Sequence, residues 1–124
     1  MLYFFHGTDS KKAHDKAFEL TQNLLKKKPD ASMFTVWEGE FGKDRLAELL
    51  QSHGLFMSNY IVFVDTRTFI AEHFDVLSDF LEDIKNSPHV FVILAGGVLK
   101  KYLKGFEKYS DKIQEYTEVV KEEK

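Results

Sequence analysis

A loop near the amino terminus is the first place where this chain has residue types suited to chemistry. A short apolar run at residues 2–5 leads into Gly7-Thr8-Asp9-Ser10-Lys11-Lys12 at the start of a helical pattern. Backbone N–H groups and the helix dipole make such a junction attractive to phosphate. A working phosphate loop needs GxxxxGK(S/T): a second glycine for close backbone approach, a lysine on the phosphates and a hydroxyl on Mg²⁺. Lys12 stands where the second glycine belongs, Ala13 replaces the lysine and His14 replaces the hydroxyl. Asp9 adds a negative charge that repels phosphate, and it suits a helix N-cap instead. Gly7 and Asp9 are therefore read as a tight turn and a cap, a nucleotide loop in position only.

Other candidates are thinner. Asp65 ends the β-prone run 60–64, the context of a Mg²⁺-holding aspartate, yet Thr66 follows it where an activating carboxylate would be expected. An aspartate there is also a common turn residue. A phospho-acceptor reading needs further carboxylates after the first strand, where this chain has His6-Gly7. The five histidines, at 6, 14, 53, 73 and 89, form no metal-ligand pair at helical spacing, and Glu72-His73 lacks the rest of HExxH. No serine sits in a nucleophile elbow. The sequence thus offers no catalytic set, no metal site and no cofactor site. Lys100, Lys101, Lys104 and Lys108 put a basic face on a late helix, which reads as solubility rather than DNA contact for a chain of net charge −3.

One connection stands out. Ser52-His53-Gly54-Leu55-Phe56-Met57-Ser58-Asn59 joins a helical pattern to the strand at 60–64. Leu55, Phe56 and Met57 are three large apolar groups where exposure is the norm. They form either a lid packed on the sheet or a wedge for a partner's hydrophobic pocket.

The elements that would position these residues alternate. Apolar β-like runs at 2–5, 33–37, 60–64 and 90–94 are separated by amphipathic segments, with a weaker fifth strand at 113–119. Ala13, Ala17, Leu20 and Leu24 recur at helical spacing after Asp9, and Lys26–28 and Pro29 close that helix. Ile70, Phe74, Leu77, Leu81 and Ile84 form the stripe of a helix at 69–85. The alternation predicts an α/β fold of parallel βαβ units with right-handed crossovers. Ligands to such sheets bind beyond the carboxyl ends of the strands, here 6–10, 65–68 and 95–97.

At 124 residues, 44% hydrophobic and 30% charged, the chain reads as one domain with a packed core, in which 12 Phe, 5 Tyr and 1 Trp take a large share. No cysteine is present, which excludes disulfides and thiolate sites and makes a cytoplasmic setting the default. No apolar run approaches membrane-spanning length, and the first residues do not make a signal peptide.

Taken in order, these features resemble the N-terminal domain of the delta subunit of bacterial DNA polymerase III, the clamp-loader subunit that opens the sliding clamp. The matching features are a first strand leading to Gly7-x-Asp9 and a helix, Leu46-x-x-Leu49-Leu50, Leu55-Phe56, the β-run 60–64, the long helix, Val90–Leu94, and the lysine-rich helix leading to Tyr116-Thr117. The resemblance covers residues 1–119, with 120–124 left as a charged tail. It implies a three-layer, degenerate AAA+ (P-loop NTPase-like) module whose sheet of about five strands has the order 5-1-4-3-2. It implies no catalysis by the chain itself and a partner, the sliding clamp, whose hydrophobic pocket takes Leu55 and Phe56, with Met57 beside them. Other clamp-loader subunits are further expected partners, and DNA is reached only indirectly. Some clamp-binding members place an apolar residue where this chain has His53. A full delta subunit continues into lid and collar domains, so the expectation is an excised fragment or a stand-alone relative. Two alternatives stand beside this reading: a nucleotide-binding protein using Lys11, Lys12 and Asp65, and an adaptor with a different protein partner.

Overall fold

A computed structural model of the chain describes residues 1–51 and 60–117. The elements run β1 (Leu2–His6), α1 (Ser10–Lys27), β2 (Met33–Val36), α2 (Lys43–Gln51), β3 (Ile61–Asp65), α3 (Ala71–Asn86), β4 (Val90–Leu94), α4 (Lys100–Tyr109) and β5 (Lys112–Glu115). The five strands form one sheet in the order β2-β3-β4-β1-β5, every neighbouring pair parallel. Read from the other edge this is 5-1-4-3-2, the order the resemblance implies.

That order dictates the layers. The chain travels from β1 to the far edge at β2, then returns step by step through β3 and β4 and past β1 to β5. Right-handed crossovers in opposite directions put their helices on opposite faces, so α1 covers one face alone and α2, α3 and α4 cover the other. The strands read as continuous apolar runs because both faces are buried. Leu2, Phe4, Val62, Val64, Phe91 and Ile93 point to the three-helix side. Phe5, Ile61, Phe63, Val92 and Leu94 point to α1. The result is a three-layer α/β fold.

Helices α1 and α4 reach the sheet by different devices. On α1 the buried residues are small, Ala13, Ala17 and Thr21, and Thr21 returns its hydroxyl to the Ala17 carbonyl at 2.9 Å, so the helix lies close to the strands. On α4 the large Phe106 ring stacks on Phe4 with centroids 3.8 Å apart, and Tyr102 stacks on Phe74 of α3 at 5.3 Å.

Two boundaries differ from the sequence expectation. The helix expected from residue 69 begins at Ala71 with Ile70 extended as its N-cap. The segment after β3 is spent on a turn instead: Thr66 is fixed to β4, its N–H and hydroxyl both donating to the Leu94 carbonyl at 2.8 Å, and the Phe69 N–H donates back to the Thr66 carbonyl at 3.0 Å. The fifth strand covers Lys112–Glu115 rather than 113–119. It is an edge strand with mostly exposed side chains, so its pairing to β1 carries it and its apolar pattern is weak.

Phe106 is fully buried between Phe4 and the core of the three-helix side. Phe106→Ala should cost about 3–5 kcal/mol of unfolding free energy, measured by urea denaturation, through lost transfer energy and the cavity left behind.

Candidate functional site

The crevice expected of an open α/β sheet lies where neighbouring strands send their chains to opposite faces. In this fold that point is between β1, which leads to α1, and β4, which leads to α4. Its walls are His6-Gly7-Thr8-Asp9 and Ala95-Gly96-Gly97. A phosphate site here would need outward-pointing backbone N–H groups.

Four N–H groups of this segment are turned onto the protein instead. The Gly7 N–H donates to the Gly96 carbonyl at 3.2 Å, and the Asp9 N–H donates to the Tyr116 carbonyl at 3.0 Å. The Lys12 N–H is taken by the Asp9 carboxylate at 3.1 Å and the Ala13 N–H by the Asp9 carbonyl at 3.1 Å. Asp9 is the N-cap of α1, as the sequence predicts. Gly7 adopts φ +129°, and a Cβ on it would sit 2.0 Å from the Tyr116 carbonyl oxygen. The backbone that follows β5 therefore fills the space that a side chain at position 7 would need. Lys11 reaches along its own helix to Asp15 at 3.4 Å, and His14 stacks on Phe18 and meets the edge of Phe63 on the sheet.

Asp65, at the end of β3, is engaged by Arg67. The Arg67 backbone N–H and its Nε each donate to Oδ1 at 3.0 Å, and Nη2 donates to Oδ2 at 2.7 Å. Burial acts to raise the carboxyl, but the hydrogen bonds and charge of Arg67 outweigh it and hold Asp65 below the usual carboxylate range. The pair closes a turn and leaves Asp65 poorly placed to hold a metal. Among the described residues no group of three or more His, Asp or Glu side chains comes together as a metal site, and no helix is long and apolar enough to cross a membrane.

His6 lines the same crevice from the three-helix side. It is buried and its ring stacks on Phe4 at 4.9 Å. Burial pushes its pKa below the ordinary value of 6.5, and the negative charges of Glu115 and Glu107 oppose that only in part.

The apolar residues Leu55, Phe56 and Met57, with His53, lie outside the described residues. What is described is the pair of stems that carries them. Gln51 and Tyr60 both lie at the amino-terminal end of the sheet, opposite the Gly7 crevice. The stems are tied together: the Tyr60 hydroxyl donates to the Leu49 carbonyl, and the Tyr60 ring stacks on His89 at 3.7 Å. The Tyr60 N–H donates to His89 Nδ1 at 3.2 Å. Beside Gln51 a groove of about 420 Å³ runs between α2 and the end of α3, lined by Ala47, Leu50, Phe80 and Pro88 among others.

Against known proteins, no family model matches the chain and no curated protein matches it. Sequence reasoning identified the missing phosphate-loop residues but not what takes their place. The long-range partners, Gly96 and Tyr116, have no local signature. The spacing of Asp65 and Arg67, two residues apart after a strand, was a readable sign of a side-chain-closed turn.

Two predictions follow from the crevice. Gly7→Ala should lower unfolding free energy by at least about 2 kcal/mol, because it needs both positive φ and the volume held by Tyr116. Gly97→Ala, where a Cβ meets open space, should stay within about 0.5 kcal/mol by the same denaturation assay. For His6, a depressed folded pKa means the folded state binds the proton less readily than the unfolded chain does. Its contribution is complete above 6.5 and is lost as pH falls through the lower folded value. Stability measured from about pH 7.5 to about pH 5 should therefore fall, and His6→Gln should flatten that fall relative to the parent.

Proposed function

We propose that this chain is a non-catalytic, delta-like AAA+-type module that binds a DNA polymerase sliding clamp through Leu55 and Phe56, with Met57 beside them. The observation that carries the reading is the crevice at Gly7. In a parallel sheet of order 5-1-4-3-2, the position of a nucleotide loop is taken up by the chain's own hydrogen bonds to Gly96 and Tyr116. A fold that keeps this geography without the second glycine, lysine and hydroxyl of a phosphate loop is suited to binding rather than hydrolysis. The fastened stems at Leu49 and Tyr60 give the apolar connection a fixed base at the other end of the sheet.

In this reading the two side chains bury in an apolar pocket of the clamp, each contributing about 1.5–3 kcal/mol of transfer free energy before association costs. Clamp opening follows only if the open ring is bound better than the closed one. The module acts in the cytoplasm, beside other clamp-loader subunits, and meets DNA only through them.

The test is binding of the chain to a purified sliding clamp from the same organism. Leu55→Ala/Phe56→Ala should weaken binding at least about a hundredfold while leaving the thermal midpoint unchanged. Equal affinity in parent and variant would remove the assignment. ATP or GTP with Mg²⁺ should leave the thermal midpoint unmoved. A concentration-dependent rise would favour the nucleotide-binding alternative.

A further inference from the structure

The outer surface of the three-helix layer carries its charge in two separate stripes. On α3, Glu72, Asp75, Asp79, Glu82 and Asp83 are all exposed, against a single cation, Lys85, which is drawn away to Asp111 at 3.3 Å. On the neighbouring α4, Lys100, Lys101, Lys104 and Lys108 are exposed, with Glu107 the one carboxylate. The helices lie side by side and run in the same direction. Tyr102 donates to the Ala71 carbonyl at 3.3 Å and to Asp75 at 2.8 Å, and one turn further along Gly105 lies against Leu81. Yet among the described residues no ion pair joins the acidic stripe to the basic one. Lys101 and Lys108 lie over the rings of their own neighbours, Tyr102 and Tyr109. The formal charge of −3 hides this separation.

Both helices also begin on an exposed aliphatic residue. Ile70, the N-cap of α3, is 56% exposed, and Leu99, the N-cap of α4, is 64% exposed; neither offers a side-chain hydrogen bond to its helix. Because both helices start at the carboxyl ends of their strands, these two residues lie at the same end of the layer.

We infer that the α3/α4 face is a self-complementary docking surface whose occupant is a second copy of this chain. A two-fold axis parallel to the helices, above the groove between them, lays the acidic α3 of one copy on the basic α4 of the other, and the reverse. The same operation brings Ile70 onto Leu99 of the second copy and Leu99 onto Ile70. An axis across the helices would instead oppose like charges, which selects the first arrangement. One symmetry operation satisfies both stripes and both aliphatic ends. The inference does not depend on the clamp reading, since the connection at 52–59 leaves the layer at its opposite end.

The test is sedimentation equilibrium of the whole chain up to about 1 mM, at about 50 mM and about 500 mM salt. The expected result is a monomer–dimer equilibrium that weakens at least about tenfold at the higher salt. Lys104→Glu/Lys108→Glu and Asp79→Lys/Glu82→Lys change only exposed positions. Each pair should remain folded by circular dichroism and be monomeric alone, and the two mixed should form a one-to-one dimer. Because oppositely charged variants attract without specific geometry, a second measurement fixes the register. The chain has no cysteine, so Ile70→Cys mixed with Leu99→Cys should oxidise mainly to the mixed 70–99 dimer. A monomer under all conditions, a dimer indifferent to salt and to both charge reversals, or a predominance of 70–70 cross-links would overturn the inference.

Discussion

Gly7 holds φ +129° with the Tyr116 carbonyl in the space a Cβ would need, and most of the carboxyl end of the sheet is arranged around that close approach. β1 is paired on both edges, to β4 and to β5, so its last residue has little freedom in where it sends the chain. The turn at Gly7 lets the N–H groups of residues 7 and 9 bond to Gly96 and Tyr116 and still delivers Asp9 as the N-cap of α1. Three segments far apart in sequence are thereby fixed to one another: the loop after β1, the loop after β4 and the residues after β5. A side chain at position 7 would push Tyr116 away and break its bond to the Asp9 N–H. The close approach at Gly7 and the tie between the loops after β1, β4 and β5 are thus one physical fact.

The same region shows why some features were legible in the sequence and others were not. Strands buried on both faces are written as unbroken apolar runs, so residues 2–5 and 90–94 could be placed from composition alone. The helices were legible from the stripes of Leu77, Leu81 and Ile84 and from the small residues Ala13 and Ala17. Edges are harder. β5 exposes most of its side chains and is held by backbone bonds, which leave no mark on side-chain pattern. The start of α3 moved because residues 66–69 are spent on a turn anchored where Thr66 grips Leu94, a contact 28 residues away in the chain. The strand order followed from the resemblance and not from spacing, since a crossover of given length can span one strand or three.

The candidate site divides in the same way. The absence of a second glycine, lysine and hydroxyl around residues 12–14 is local and was readable. The replacement of phosphate contacts by backbone contacts to Gly96 and Tyr116 is not local, and it appears only when the sheet is closed. The apolar trio Leu55, Phe56 and Met57 was found by composition, yet it lies outside the described residues, so the structure bears on it only through the stems at Leu49, Gln51 and Tyr60.

The stems at Gln51 and Tyr60 and the crevice at Gly7 lie at opposite ends of a sheet only four or five residues deep per strand. Parallel topology makes this separation automatic, because connections into helices leave at the carboxyl ends and connections back into strands arrive at the amino ends. The crevice and the connection before β3 can therefore change independently, with the core of Phe4, Val62, Phe91 and Ile93 between them. Closing the first with internal hydrogen bonds costs the second nothing in geometry.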